Sequence, residues 1–139
     1  MARHNELGRM GENVAARYLI QQGYNIVARD WRFGHRDIDI VAAKEGVLVF
    51  VEVKTRATAI YGQPEEAVDN RKIRSLLAAG SAYVRYFNVE SPVRFDVIAV
   101  VGEHDPFEVT HIENAINPDS LSYYGHDFTP FSKHIIFGK

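Results

Sequence analysis

Hydrophobic and polar positions follow two different periods along the chain, and the first period is helical. Between residues 4 and 23, apolar side chains recur every three or four positions, which is the spacing of one helix face. The positions of this stripe are Leu7, Met10, Val14 and Tyr18. Gly8, Gly11 and Ala15 lie beside the stripe, where small residues allow another chain segment to approach. We therefore expect a first helix over residues 4–23 that ends at Gly23, because glycine commonly ends helices.

Three strands are predicted after this helix. Their segments are Tyr24–Phe33, Arg36–Ala43 and Val47–Arg56, which are rich in the β-branched and aromatic residues that strands favour. Residues 57–63 are predicted to form a loop. A second helix is expected from Pro64 to about Phe87, since proline is favoured in a first helical turn.

Two further strands, Val93–Val101 and Phe107–Ile112, complete the predicted order α-β-β-β-α-β-β. Three consecutive strands between helices favour an α/β fold, with a mixed sheet flanked by helices. Residues 1–117 are expected to form one domain. Residues 118–139 are polar and aromatic without a clear period, and we interpret them as a tail that is docked or partly disordered.

Composition narrows the class of protein. The chain has 139 residues, of which 46% are hydrophobic and 24% charged, as in ordinary globular proteins with one core. It has no apolar run of membrane-spanning length and no pattern of a secretory signal. It also has no cysteine, which excludes a disulfide scaffold and fits a cytoplasmic location. The net charge of −2 argues against a strongly basic nucleic-acid clamp.

Two charged residues interrupt the third predicted strand. Side chains alternate between the two faces of a strand, so Glu52 and Lys54 share one face, at the end of an otherwise apolar segment. A charge inside a sheet costs free energy unless it is paired or binds an ion. These two residues are therefore candidates for a functional site.

The turn before this strand predicts which residue faces Glu52. Glu45-Gly46 suits a two-residue hairpin turn, because glycine readily takes a positive φ. Residues that pair across this turn have numbers that sum to 91, which places Asp39 opposite Glu52 and Asp37 opposite Lys54. A loop with one residue more would move Asp39 to the other face.

Two acids at this separation need a compensating charge. Directly opposed side chains have Cβ atoms about 4.5–5.5 Å apart, where like charges destabilise the sheet. A divalent cation such as Mg²⁺ or Mn²⁺ is one solution, since hard cations prefer oxygen ligands. The alternative is a salt-bridged strand end in which Lys54 neutralises both Asp39 and Glu52.

These residues also match a known signature. Asp39, followed after twelve residues by Glu52-Val53-Lys54, resembles the PD-(D/E)xK nuclease motif. The flanking segments resemble the YraN family of bacterial proteins, which is similar in fold to archaeal Holliday-junction resolvases. The matching segments are GENVAARYLIQQGYNIVARDWR, DIDIVA, LVFVEVKTR and PEEAVDNRKIRSL. The resemblance extends over about residues 5–117.

The resemblance implies a restriction-endonuclease-like core and a role for each matching residue. The positions of Asp39 and Glu52 bind Mg²⁺ in that superfamily, and the position of Lys54 orients or activates the attacking water or steadies charge at the phosphate. Glu12 matches an acid on the first helix of the resolvases. The chain departs from the family at Arg36-Asp37, where the family has Gly-Glu, and this departure leaves the role of Asp37 open.

Other residues are candidates for contact with nucleic acid. They are Gln63, Arg71, Lys72 and Arg74. For each of them taken alone, a solvated surface residue is the favoured interpretation. The six histidines have no ligand spacing that favours zinc.

The sequence therefore predicts a metal-dependent endonuclease that acts on DNA, with branched or flapped structures as candidate substrates. The residues favour DNA over RNA without deciding between them. One alternative is a nucleic-acid-binding module with the same fold and little or no cleavage. A second is an interaction protein with a structural ion-pair network at Asp37, Asp39, Glu52 and Lys54. A homodimer would fit the first reading but is not required by the sequence.

Overall fold

A five-stranded mixed sheet with one helix on each face forms the centre of the protein. The computed structural model describes residues 2–58 and 70–116, with side chains described from residues 6 and 71 onward in these two ranges. The elements are α1 (Ala2–Gln21), β1 (Asn25–Phe33), β2 (Arg36–Lys44), β3 (Val47–Arg56), α2 (Asn70–Phe87), β4 (Val93–Val101) and β5 (Glu108–Ile112). The predicted order α-β-β-β-α-β-β is confirmed, and the architecture is consistent with a nuclease-like core.

Several predictions fall on residues outside the described ranges. They are the start of the second helix at Pro64, the loop residue Gln63 and the tail at 118–139. Within the described ranges, the boundaries of the strands agree with the predicted ones to within one residue.

The strands follow their order in the chain, β1-β2-β3-β4-β5. Neighbouring strands are antiparallel except for β3 and β4, which are parallel. A parallel pair needs a crossover connection, and α2 lies in this connection. The next described helix after the C-terminal end of β3, which carries Glu52 and Lys54, is therefore α2.

The two faces of the sheet bury two separate cores. On one face, α1 packs through Ala15 and Leu19 against alternate strand residues that include Ile40 and Val51. On the other face, α2 packs over the remaining strand residues, which include Ile38 and Phe50. Alternation of strand side chains divides the hydrophobic residues between the two helices, and it is interrupted at Asp39, since Ile38 and Ile40 lie in opposite cores.

The buried face of α1 is rotated from the predicted stripe. Leu7, Met10, Val14 and Tyr18 are only partly buried, whereas Gly11, Ala15 and Leu19 are buried. A Cβ atom at Gly11 would collide with the Thr55 side chain, so α1 approaches β3 at this glycine. Gly8 has no atom within 4 Å of its Cβ position, and the close approach predicted there is absent among the described residues.

The end of α1 follows the predicted glycine signal. Gly23 has φ +94°, and its N–H donates to the carbonyl of Ile20, while the N–H of Tyr24 donates to the carbonyl of Leu19. This pair of bonds is a Schellman motif. The motif fixes the direction in which the chain enters β1.

The β2–β3 hairpin has the predicted register. Glu45 and Gly46 have φ +53° and +82°, and the paired residues run from Lys44↔Val47 to Ile40↔Val51. All of these pairs obey the predicted sum. Because register decides which face each side chain occupies, the turn determines which residues of β2 reach the candidate site.

His111, one of the histidines considered above, lies in a buried polar cluster between β4, β5 and α1. Its Nε2 lies 2.7 Å from Asp96 Oδ2, and its Nδ1 lies 3.0 Å from the hydroxyl of Tyr18. Asp96 also accepts two hydrogen bonds from the Arg94 guanidinium. These bonds satisfy buried polar groups and join three elements of the fold.

Candidate metal and catalytic site

The candidate site begins where β2 and β3 separate. Their last pair is Ile40↔Val51, one position before Asp39 and Glu52. Beyond it, the N–H of Val53 donates to Asp39 Oδ2 at 2.8 Å. A regular antiparallel ladder would give this donor to a backbone carbonyl of β2. The side chain of Asp39 thus takes the place of a strand pair, and the backbone pairing predicted for Asp39 with Glu52 does not form.

Asp37 also differs from its predicted position in the sheet. It is paired with Arg32 of β1, and the pairing of β2 with β3 has ended before it. The predicted position opposite Lys54 is therefore replaced by a position in the β1–β2 ladder. The physical reason is that β2 stays with β1 at this end, while β3 continues alongside β4 as far as Arg56.

Three acids from three elements converge at this end of β2. They are Glu12 of α1, Asp30 of β1 and Asp39 of β2, and each offers one carboxylate oxygen within 4.8 Å of the other two. We call them the acid trio. The trio includes Glu12 and Asp39, which the sequence analysis considered, and Asp30, which it did not.

Asp30 joins the trio because the backbone of β1 is irregular at this residue. Its φ is +52°, a left-handed conformation that aspartate tolerates better than most residues. The neighbouring side chains go to opposite faces, since Arg29 reaches Glu12 on the α1 side and Trp31 packs in the α2 core. The sequence offers no more than an aspartate within a predicted strand that also carries Arg29 and Arg32, and this pattern does not indicate a metal ligand.

Without a bound cation, the pKa of Asp39 is raised well above the ordinary value of a carboxyl group. Burial raises its pKa to about 8, and the negative charges of Glu52, Glu12 and Asp37 act in the same direction. The hydrogen bond from Val53 opposes this shift, because it favours the carboxylate form. Asp39 therefore retains a proton near neutral pH unless a positive charge takes its place.

The pKa of Glu12, which lies on α1, is raised as well. Burial raises its pKa to about 7, with a further contribution from the charge and hydrogen bond of Asp30. Arg29 Nη2 lies 3.7 Å from Glu12 Oε1 and lowers the pKa, but this contribution is outweighed. Glu12 and Asp39 together create a demand for positive charge in the trio.

Glu52 lies on the opposite side of β3 from α1. Its strand neighbours Val51 and Val53 belong to the α1 core, so its own side chain projects toward α2. There its Oε2 lies 3.2 Å from Lys72 Nζ. Burial raises the pKa of Glu52, although the charges of Lys72 and Lys54 lower it. Its negative charge still reaches Asp39, where it is the largest cause of the raised pKa after burial.

Lys54 shares the face of Glu52, as alternation along β3 predicts. It is half-buried, and its charge acts on Glu52. The salt bridge to Glu52, however, comes from Lys72 rather than from Lys54. Of the other two cations considered on α2, Arg71 and Arg74 are both exposed.

The acid trio fits a hard divalent cation. All of its donors are carboxylate oxygens, which Mg²⁺ and Mn²⁺ prefer. Two of the three groups have pKa values near or above neutrality without an ion, and a divalent charge would remove that strain. The donors come from α1, β1 and β2, which the two cores hold in place.

Comparison with known proteins gives a family. The model of "Uncharacterised protein family UPF0102" matches residues 11–100, a range that contains Glu12, Asp39, Glu52 and Lys54. A UPF0102 protein of Bacteroides thetaiotaomicron is 53% identical over 118 residues, which are 85% of this chain and 98% of the relative. A UPF0102 protein of Phocaeicola vulgatus is 50% identical over the same shares of both chains.

A third relative gives the same picture. A UPF0102 protein of Parabacteroides distasonis is 48% identical over 115 residues, which are 83% of this chain and 95% of the relative. These matches confirm the family-level part of the resemblance found in the sequence. In the part of the chain that the structure describes, neither helix has the length and apolar character needed to cross a membrane.

Proposed function

The chain belongs to the UPF0102 family, and from this premise and the carboxylate geometry we propose that it is a metal-dependent endonuclease that cleaves DNA. The observation that carries the proposal is the position of Asp39. It is half-buried, hydrogen-bonded to Val53, grouped with two other acids and close enough to Glu52 for that charge to raise its pKa. The PD-(D/E)xK resemblance of Asp39, Glu52 and Lys54 supports the same reading.

The proposed roles follow from where each side chain lies. Asp39 and Glu12 would hold the ion, with Asp30 as a further oxygen donor and Glu52 approaching from the α2 side. A bound divalent ion supplies Lewis-acid activation of the scissile phosphate and of a water. Lys54 would position that water or steady charge at the phosphate, because its ammonium group donates hydrogen bonds and offers no lone pair to a metal.

The surface around the site supports a polyanionic substrate. Arg71 and Arg74 are exposed on α2, the helix that carries Lys72 to Glu52. Exposed cations near a carboxylate metal site would attract a phosphate backbone and make binding depend on salt. We propose DNA as the substrate, with junctions, forks or flaps as the structures to test.

The experiment is a cleavage screen on junction, fork, flap, duplex and single-stranded DNA and RNA, with Mg²⁺ or Mn²⁺. Wild type is compared with Asp39→Asn and Lys54→Ala. The matched control is Glu108→Gln, which neutralises an exposed acid on β5. We expect metal-dependent cleavage by wild type and control and its loss in the other two variants. Equal cleavage by all four proteins would place the activity elsewhere or in a contaminant.

A second candidate function is nucleic-acid binding without cleavage. The Lys72–Glu52 ion pair favours it, because a lysine that neutralises Glu52 reduces the need for a metal on the α2 side. This reading predicts that the protein binds the same DNA structures and leaves them intact with both metals. The cleavage screen separates the two functions directly.

A further inference from the structure

A groove lies where the end of β1 meets the C-terminal half of α2. Its volume is about 580 Å³. The described residues that line it are three aromatics, two arginines and one alanine: Trp31, Arg32, Phe33, Ala82, Arg85 and Tyr86. None of these residues belongs to the acid trio or to the proposed catalytic set.

The aromatic side chains at the groove are unusually exposed. Tyr86 is 76% exposed, Phe87 beside it is 50% exposed and Phe33 is 47% exposed. Trp31 is held from below by an edge-on contact with Tyr83 at 5.1 Å between ring centroids. A contiguous group of exposed aromatic rings that pack on buried residues is typical of a binding surface.

The charged residues that line the groove indicate which kind of molecule it binds. Arg32 and Arg85 line it, and none of its described lining residues is acidic. The guanidinium of Arg85 is oriented by a hydrogen bond from Nη1 to Ser81 Oγ at 2.6 Å. A second copy of the chain seated on the same groove would bring arginine against arginine. An anionic occupant with flat apolar groups matches both the charge and the rings.

We propose that this groove binds single-stranded nucleic acid, with bases stacked on Tyr86 and Phe33 and phosphates held by Arg32 and Arg85. Sequence-tolerant recognition of single strands combines aromatic stacking with such cationic contacts. The inference rests on the proposed nuclease function and specifies its substrate class as nucleic acid with a single-stranded arm.

The position of the groove in the sheet connects it to the site. Trp31 is paired with Ile38, the residue next to Asp39, and both pack on the α2 side of the sheet, where Glu52 meets Lys72. The groove therefore begins at the end of β2 that carries Asp39, on the face opposite to α1. An unpaired arm held there would leave its junction with duplex near the proposed metal centre. A fork or flap has this combination of an unpaired arm and an adjoining duplex.

Trp31 provides a direct probe, because it is the only tryptophan in the chain. The experiment titrates the full-length protein in EDTA with a thymidine oligomer of about ten nucleotides, a length within the usual site size, and follows tryptophan fluorescence. The variants are Tyr86→Ala and Tyr86→Phe. The control is Ile20→Ala on α1, which removes an apolar side chain with 58% exposure.

We expect the oligomer to quench Trp31 in wild type, Tyr86→Phe and Ile20→Ala. In Tyr86→Ala the affinity should fall about tenfold, because stacking of one base is worth roughly 1–3 kcal/mol. Arg32→Ala should weaken binding and reduce its salt dependence. Binding without quenching, or equal binding by Tyr86→Ala and wild type, would overturn the proposal.

Other occupants of the groove have distinct signatures that would also overturn the proposal. A concentration-dependent dimer that Tyr86→Ala abolishes, without any effect on DNA binding, would make the groove a self-interface. A loss of thermal stability in Tyr86→Ala with unchanged DNA binding would assign the groove to a segment of the chain itself. Because the titration is carried out in EDTA, it measures binding of the oligomer without metal and without cleavage. The groove and the nuclease activity can therefore fail independently.

Discussion

The backbone N–H of Val53 donates to the carboxylate of Asp39 at 2.8 Å, at the position where β2 and β3 part. This bond joins the two strands after their regular pairing has ended at Ile40↔Val51. It fixes the Asp39 carboxylate between Glu12 and Asp30 on the α1 side and Glu52 on the α2 side. The proposed metal centre depends on this one residue.

Asp39→Asn is predicted to stabilise the metal-free protein at alkaline pH. The folded-state pKa of Asp39 is raised to about 8, so its stabilising contribution is complete below the unfolded-state value near 4 and is lost as pH rises through 8. Asparagine removes the charge and keeps an oxygen that accepts from Val53. We expect the variant to gain on the order of 2 kcal/mol over wild type at pH 9.

The measurement is urea unfolding of both proteins in EDTA at pH 5 and pH 9. The difference in unfolding free energy should be larger at pH 9 than at pH 5. Glu108→Gln serves as the control for an exposed acid. If Asp39→Asn is instead destabilised to the same extent at both pH values, the Asp39 carboxylate stabilises the fold, and its charged form does not destabilise the metal-free protein.

Divalent metal is predicted to stabilise wild type more than variants of the acid trio. A ligand that binds only the folded state adds about 2.7 kcal/mol at a hundred times its Kd. Glu12→Gln and Asp30→Asn should each reduce the rise in melting temperature caused by Mn²⁺, and Asp39→Asn should reduce it most. Differential scanning fluorimetry at pH 7.5 checks this prediction. An equal rise in every variant would indicate that the ion binds elsewhere.

Lys54→Ala is predicted to separate metal binding from cleavage. The ammonium group cannot ligate a cation, so the stabilisation by Mn²⁺ should stay within the error of wild type. Cleavage of whichever DNA structure wild type cuts should fall by at least about a hundredfold, the usual lower range for a group that positions or activates the nucleophile. A variant that loses both properties would assign Lys54 a structural role.

Lys72 and Glu52 are predicted to be energetically coupled. Glu52 is buried at 4% exposure, so removing Lys72 leaves a carboxylate with less compensation. A double-mutant cycle with Lys72→Met and Glu52→Gln, measured by urea unfolding at pH 7, should give a coupling energy of about 1 kcal/mol, which allows for the partial exposure of Lys72. Arg74→Met is the control on the same helix and should show no coupling with Glu52→Gln.

The elements set by local signals could be predicted from the sequence. The Glu45-Gly46 turn fixes the register of β2 on β3, and Gly23 ends α1. Alternation along β3 places Glu52 and Lys54 on one face. Each of these features depends on residues within a few positions of one another, so the chain itself carries the information.

The features that were missed depend on distant packing. Asp30 lies in the trio because its φ is positive. An aspartate in a strand segment does not predict that conformation. Lys72 reaches Glu52 because α2 lies in the crossover between the parallel strands β3 and β4. The pattern of strand residues in the sequence does not predict that these two strands are neighbours. The buried face of α1 is set by the close approach of Gly11 to Thr55. Small residues contribute little to the hydrophobic pattern from which a buried face is predicted.

In the proposed metal centre, Glu12, Asp30 and Asp39 bind one divalent ion, which displaces the protons of Glu12 and Asp39. Isothermal titration calorimetry of Mn²⁺ at pH 7, in two buffers with different heats of ionisation, tests this binding most directly. We expect one ion per chain with net proton release, because the pKa values of Asp39 and Glu12 are about 8 and about 7 without metal. We also expect Asp39→Asn to release fewer protons and to bind the ion more weakly. If Mn²⁺ does not bind, or if it binds without proton release and with the same affinity in Asp39→Asn, the acid trio is not a metal site.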